Sequence, residues 1–502
     1  MPKPLDIERL KIIEKRIYEI AQEWGLLTTD VQFEIVGAQK MLEGMAYMFP
    51  VNFSHWSFGR DYETHRTIYD HTGAGIPYET VWNFTPPVAL LVETNPFALN
   101  TIIIGHVLGH VDFFLGSRIL QIGRSFSDIA DEAYYAAERF REYEVQHGKD
   151  EVEKIIDAGM AILWQQNPDI FMEEELDEEI ARDRLLTMER EKARPAKDIV
   201  SQFGQNNNRD ELLKKKLQYL AQRVPPEPVY DLLGYITRYS PVLKPHHRDI
   251  LTVMRNQGRS LAPQRKTKLL NEGWATYWHV RFMRRLFEEG LLTAEEHGIF
   301  DDFHSGVTRE NKVGFNWYSI GLALFEYIEE KYDKGRFGRE YDMCEDPVKK
   351  AYWDTHAMKG KEKIFQVRSF YSDRMAIEEF FTDEFIHQMR LYIWESEVDA
   401  KTGETTYYIA ERDPEVIRKI LVRHHTLYGI EPIVIQNANH NRNGYLYLNH
   451  LSNGVELDQR RRDGVLVHIF TLWGKPVFLE TNVDNKRVVC SFDGKKHEVK
   501  QK

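Results

Sequence analysis

Residues 94–112 read Thr-Asn-Pro-Phe-Ala-Leu-Asn-Thr-Ile-Ile-Ile-Gly-His-Val-Leu-Gly-His-Val-Asp. From Thr94 to Val111 there is no formal charge, a run close to the length that spans a bilayer. It nevertheless contains Asn95, Pro96, Asn100, His106 and His110, and Asp112 follows at once. Polar groups facing lipid are costly, so a buried core helix starting near Phe97 is the better reading, with a membrane span as the alternative. His106 and His110 stand one helical turn apart on one face of that helix. This spacing lets two imidazoles bind one metal. With 19 histidines in the chain, roughly 0.7 such pairs arise by chance, so the spacing alone is weak. Its apolar setting adds weight, because buried imidazoles need hydrogen-bond partners or a metal. Gly105 and Gly109 are poor helix formers and suggest close approach of another element.

A second segment, Leu270-Asn271-Glu272-Gly273-Trp274-Ala275-Thr276-Tyr277-Trp278-His279, reads as part of a helix over Leu269–Arg285 that places Glu272, Thr276 and His279 on one face. In helical metalloproteases a similar Asn-Glu-Gly-aromatic-Ala helix supplies a carboxylate to a histidine pair. His106, His110 and Glu272 would leave an open coordination position, the pattern of a catalytic rather than a structural metal. His279 would be a fourth ligand or a partner behind the ligands. The competing reading makes all of these buried polar groups bonded to one another. The glutamate that usually follows the first histidine as general base is replaced by Val107, which moves no proton. His55, Glu93, Asp112 and His304 are the remaining candidates for that role, and a standard zinc protease is disfavoured.

The 502 residues exceed one ordinary core. Hydrophobic content of 42% and charged content of 29% are those of a globular chain. The net charge of -12 argues against a broad nucleic-acid-binding face. Two distant cysteines, Cys344 and Cys490, supply neither a disulfide framework nor a thiolate metal site. The first residues carry an amphipathic helix (Leu10, Ile13, Ile17, Ile20, Trp24) instead of a signal peptide. A second helix is expected from Val31 to Tyr47, then an aromatic loop from Asn52 to Gly59, and strands at 78–82 and 88–92. Residues 173–216 read as a charged, polar insertion or linker, partly helical. Helices are expected again at Ser127–Gly148 and Tyr318–Tyr332, and Asp301–Gly306 reads as a turn. Beyond a boundary near residue 398 the texture changes to short strands with two helices. The expected fold is α+β and predominantly α-helical. A large helical domain, 1–398, has a zincin-like helical layout, and a small α+β module occupies 399–502. Glu144-Val-Gln-His147 has the spacing of di-iron bundles, but reads better as a helix C-terminus.

Several of these segments together resemble the SpoVR family (stage V sporulation protein R). They are Glu34-Ile-Val-Gly-Ala-Gln-Lys-Met41, His55-Trp-Ser-Phe-Gly59, His106-x-x-Gly-His-x-Asp112-Phe-Phe and Pro263-Gln-x-x-Thr-Lys-x-x-Asn-Glu-Gly-Trp-Ala-Thr-Tyr-Trp-His279, then Leu472-Trp-Gly474. The pattern carries an Asn pair where this chain has Gly116-Ser117, and Trp where it has His246. The resemblance implies a cytoplasmic bacterial or archaeal protein linked by name to sporulation, with a setting in stress or starvation. It also implies a serine protein kinase, encoded nearby, as partner. It names no reaction.

Two functions follow. The first is a metal-dependent, hydrolase-type enzyme acting on a peptide or cell-wall precursor. Its metal is zinc, iron or manganese on His106, His110, Glu272 and His279; His55 and Asp112 are catalytic, and Trp56 and Asn271 line the substrate pocket. The second is a non-catalytic regulatory or scaffold protein, in which those side chains form a buried structural network and the C-terminal module binds the partner. A catalytic site should open to a cleft, and a structural network should be closed.

Overall fold

A computed structural model describes residues 6–46, 53, 55–72, 79–124, 129–167, 169, 172, 174–193, 207–309, 314–398, 404–427, 429–452 and 454–502. The architecture is α+β and mainly helical. It divides into two compact units, residues 1–130 with 260–428, and residues 131–259 with 429–502.

The first unit is organised around the helix Phe97–Gly116, which begins directly after Pro96. It is long and apolar enough to cross a membrane by length and composition, yet 94% of that apolar window is buried. A helix that is apolar all round belongs in a core, and other helices of the unit cover it. The helix Lys268–Glu288 packs against it and against Trp317–Asp333. A Cβ on Gly109 would lie 2.7 Å from the Cα of Ala275, and one on Gly273 would lie 2.5 Å from the Cα of Gly321. The expected close approach at Gly109 is therefore a real helix crossing. The first helix, Ile7–Glu23, buries Leu10, Ile13, Ile17 and Ile20 against the same core.

A three-stranded sheet accompanies the helices. Gln32–Val36 pairs in parallel with Val88–Val92, which pairs antiparallel with Glu79–Trp82. The single helix expected over 31–47 is thus corrected to the strand Gln32–Val36 and the helix Ala38–Ala46. The expected loop gives way at Trp56 to the helix Trp56–Thr72; Asn52 and Ser54 lie outside the described residues. Asp301–Gly306 belongs to the helix Ala294–Val307, whose start is fixed by a reciprocal cap between Thr293 and Glu296. The hairpin Ile393–Val398/Thr405–Glu411 and the helix Pro414–Leu427 fall in this unit, and Ile417 and Leu421 bury in its core. The boundary expected near 398 thus lies inside it.

The second unit contains a five-stranded sheet in the order His497–Gln501, Lys486–Phe492, Val477–Val483, Tyr445–His450, Ile433–His440. Its one parallel pair, Tyr445–His450 with Val477–Val483, is joined through the helix Gln459–Trp473. That helix packs on the sheet and on Lys149–Ile162. Within 173–216, the helices Glu178–Ala193 and Asn207–Gln222 are described, and 194–206 are not. Glu174 is more than a solvated charge, because its carboxylate accepts hydrogen bonds from the backbone N–H groups of Tyr230 and Asp231.

Candidate metal centre

The crossing at Gly109 sets the geometry of the site. It brings the His106–His110 face of one helix against Glu272 on the other. The Nε2 atoms of His106 and His110 lie 3.7 Å and 3.6 Å from Oε2 of Glu272. One potential ligand atom from each of the three residues falls within 4.8 Å of the others. These separations are too long for hydrogen bonds. They approach the roughly 3.3 Å between two ligand atoms that each stand about 2.0–2.1 Å from a tetrahedral ion.

The far sides of both rings are held. His110 Nδ1 lies 3.0 Å from Oδ1 of Asn271. A carbonyl oxygen only accepts, so Nδ1 carries the proton and Nε2 presents its lone pair toward Glu272. His106 Nδ1 lies 2.9 Å from Nδ1 of His279, whose Nε2 lies 3.2 Å from Nδ1 of His304. When His106 donates to His279 and His279 to His304, the lone pair of His106 Nε2 also faces Glu272. Neutral imidazoles whose outer N–H groups are bonded are what metal-ligating histidines require. His279 therefore stands behind His106, with one nitrogen on each neighbouring ring. Burial, together with the nearby Arg284, lowers the pKa of His304.

The start of the Glu272 helix is fixed by a buried carboxylate. Asp373 accepts hydrogen bonds from the backbone N–H groups of Leu269 (2.8 Å) and Leu270 (3.0 Å), where an anion complements the helix dipole. His106, Glu272 and His279 open onto a cleft of about 730 Å³. Lys268, Asp302, Asn316, Trp317 and Tyr318 also line it.

The other expected site residues are placed elsewhere. Asp112 is fully buried two residues beyond His110. It accepts from the Leu27 backbone N–H (2.7 Å) and from Trp274 Nε1 (2.7 Å), and pairs with Arg368 Nε at 3.1 Å. Burial raises its pKa against the opposing pull of Arg368. The arrangement ties the segment after the first helix, the Glu272 helix and the helix Gly360–Phe370 to the central one. Neither Asp112 nor His55 is among the residues that line the cleft. His55 Nδ1 lies 2.7 Å from the Ser57 hydroxyl, and Trp56 is half exposed with Arg60 over its ring. Asn271 is likewise absent from the lining and acts on His110 from behind. Val107 is fully buried. Lys268, Asn316 and Tyr318 escaped the sequence reading because single polar residues at helix ends carry no spacing signal. His304 could have been placed on a helix from the Thr293-x-x-Glu296 capping box.

The family model described as SpoVR like protein matches residues 5–430, and that described as SpoVR-like C-terminal domain matches residues 432–484. The chain is also similar to YcgB, an uncharacterized protein of Escherichia coli (strain K12). The two are 26% identical over 490 residues, covering 94% of this chain and 91% of that one. No solved structure matches.

Proposed function

This chain belongs to the SpoVR family, and we propose that it is a cytoplasmic, divalent-metal-dependent enzyme of hydrolase type. Its substrate would be a peptide or a peptide-bearing cell-wall precursor, in keeping with the sporulation link in the family's name. The observation that carries this reading is the convergence of His106 Nε2, His110 Nε2 and Glu272 Oε2 beside an open cleft. Two imidazoles on one helix and a carboxylate on the facing helix would hold a metal in a zincin-like layout. Zinc, iron or manganese suits this donor set.

A bound metal supplies an acidified water and polarises a carbonyl. The chain's residues supply the rest. Asn271 and His279 hold the two ligand rings in their tautomers. With Val107 unable to act as base and both nitrogens of His279 engaged by His106 and His304, the carboxylate of Asp302 on the cleft wall is placed to accept a proton there. Lys268 and Tyr318 at the cleft wall are placed to meet a carboxylate or carbonyl of the substrate. The cleft beside His106, Glu272 and His279 favours this reading over a closed structural network.

The test is metal content of the purified, tag-free full chain against the His106→Ala/His110→Ala variant. Loss of one equivalent of metal from the variant is expected. A wild-type chain with no more metal than the variant, even after incubation with zinc, iron and manganese, would make the histidines structural.

A further inference from the structure

A second cluster of ligand-type side chains stands in the other compact unit. The helix Ile129–His147 ends at Gly148, whose φ of +92° turns the chain directly into Lys149–Ile162. His147 and Glu151 therefore flank one corner. Pro245 opens the helix Pro245–Lys266, a position that wastes no backbone donor. His246 and His247 follow in its first turn. The His246 ring stacks on His147 at 3.7 Å, and its neighbour His247 lies edge-on at 4.2 Å.

His247 Nε2 is 3.1 Å from Oε1 of Glu151, which also receives the Lys244 ammonium at 3.0 Å. One ligand-type atom from each of Glu151, His246 and His247 lies within 4.8 Å of the others. Both histidines are more than nine-tenths buried. The buried Nε2 of His246 makes no hydrogen bond among the described residues. An unsatisfied buried nitrogen is costly and requires an explanation. Burial, with His247 and His147 beside it, holds His246 down to about 4, and burial lowers His247 as well.

We propose that Glu151, His246 and His247 form a second divalent-metal site, of zinc or an ion of similar preference, that clamps the 147–151 corner to the start of the helix Pro245–Lys266. Two imidazoles and a carboxylate are a zinc donor set, and a solvent molecule completes it. The corner already attracts a cation, since the ammonium of Lys244 sits on Glu151. That side chain is more than half exposed and swings into solvent when the metal takes its place. His247 Nε2 must then yield its proton to Nδ1, which gives up a long contact of 3.4 Å from the Lys244 backbone N–H.

The experiment uses the full chain carrying His106→Ala/His110→Ala, so that the first centre cannot contribute whatever its fate. Zinc is titrated against a chromogenic chelator, and cobalt(II) is followed by its visible absorption. One equivalent of each is expected, with the intense bands of a four-coordinate ion. Adding Glu151→Gln, which keeps the hydrogen bond to His247, or His246→Phe, which keeps the stack on His147, should weaken zinc by on the order of a hundredfold or more. Failure of the parent to bind zinc, or equal binding after either added substitution, overturns the site.

Discussion

Replacing Gly109 with alanine sets two effects of opposite sign against each other. In an exposed helix interior the change stabilises by about 0.8–1 kcal/mol, because glycine is that much worse a helix former. At Gly109 the added Cβ would stand 2.7 Å from the Cα of Ala275 and 3.3 Å from its Cβ. The obstacle is the backbone of the facing helix, so no side-chain rotation relieves it. Reaching ordinary contact means parting the two helices by at least about 0.7 Å inside a close-packed core. Overpacking of this kind costs about 1–3 kcal/mol, and a net loss of up to about 2 kcal/mol is expected. Gly298 is the control, since it is exposed on the helix Ala294–Val307 and a Cβ there meets nothing within 4 Å. Gly298→Ala should gain the full propensity term of about 0.8–1 kcal/mol. Urea unfolding of both full-length variants reads the sign directly, and zinc competition reads the consequence. Parting the helices draws His110 away from Glu272, so Gly109→Ala should also bind metal more weakly and Gly298→Ala should not. If both substitutions stabilise to the same degree, the helices do not meet at this crossing, and the case for the metal centre falls with it.

Asn271→Leu removes the acceptor that fixes the His110 tautomer and leaves a buried N–H without its partner, so it should weaken zinc by about 10–100-fold and destabilise by about 1–3 kcal/mol; unchanged affinity would mean that Asn271 does not set the ring. Asp112→Asn leaves the Arg368 guanidinium buried without its counter-charge, at a cost of about 3–5 kcal/mol, while metal stoichiometry stays at the wild-type value. A catalytic Asp112 predicts the reverse, a stable but inactive protein, so denaturation and metal analysis of the same sample separate the two. Arg9 makes paired hydrogen bonds to Glu296 at 2.5 Å and 2.8 Å, which hold that carboxyl at about 2 against an ordinary 4.5. A depressed carboxylate stabilises the fold above its unfolded pKa and loses that contribution as pH falls through the folded one. Arg9→Leu should thus cost about 1–2 kcal/mol at pH 7 once solvent screening is allowed for. The gap from wild type should close between pH 4.5 and 2, and a gap that stays constant with pH would exclude the carboxylate as its source.

What the sequence disclosed divides along the range of the forces involved. The central helix was legible because an uncharged run broken by two histidines has one cheap solution, burial, whatever its neighbours are. The pairing of His106 and His110 with Glu272 spans more than 160 positions, yet it left a local trace. Glycines at 105, 109 and 273 forgo helix propensity, and two of them, Gly109 and Gly273, mark the places where backbones cross. The strand Gln32–Val36 left a weaker one. Its five residues do alternate in part, but the hydrogen bonds that make them a strand come from Val88–Val92, and the following Ala38–Ala46 supplied enough helical pattern to absorb them. Asp112 is the opposite case. A carboxylate beside a histidine pair reads as chemistry until Leu27, Trp274 and Arg368 arrive from three other segments to occupy it. Residue type and spacing therefore pointed to the three residues that the fold brings together, but what surrounds each of them depended on partners that only tertiary packing provides. The same holds for Glu151, His246 and His247. Adjacent histidines at a helix start carry no sign of burial in the sequence until the corner at Gly148 covers them beside a carboxylate. A buried ring nitrogen left without a hydrogen bond is evident only in the folded chain, and for that reason it is the stronger pointer to a ligand.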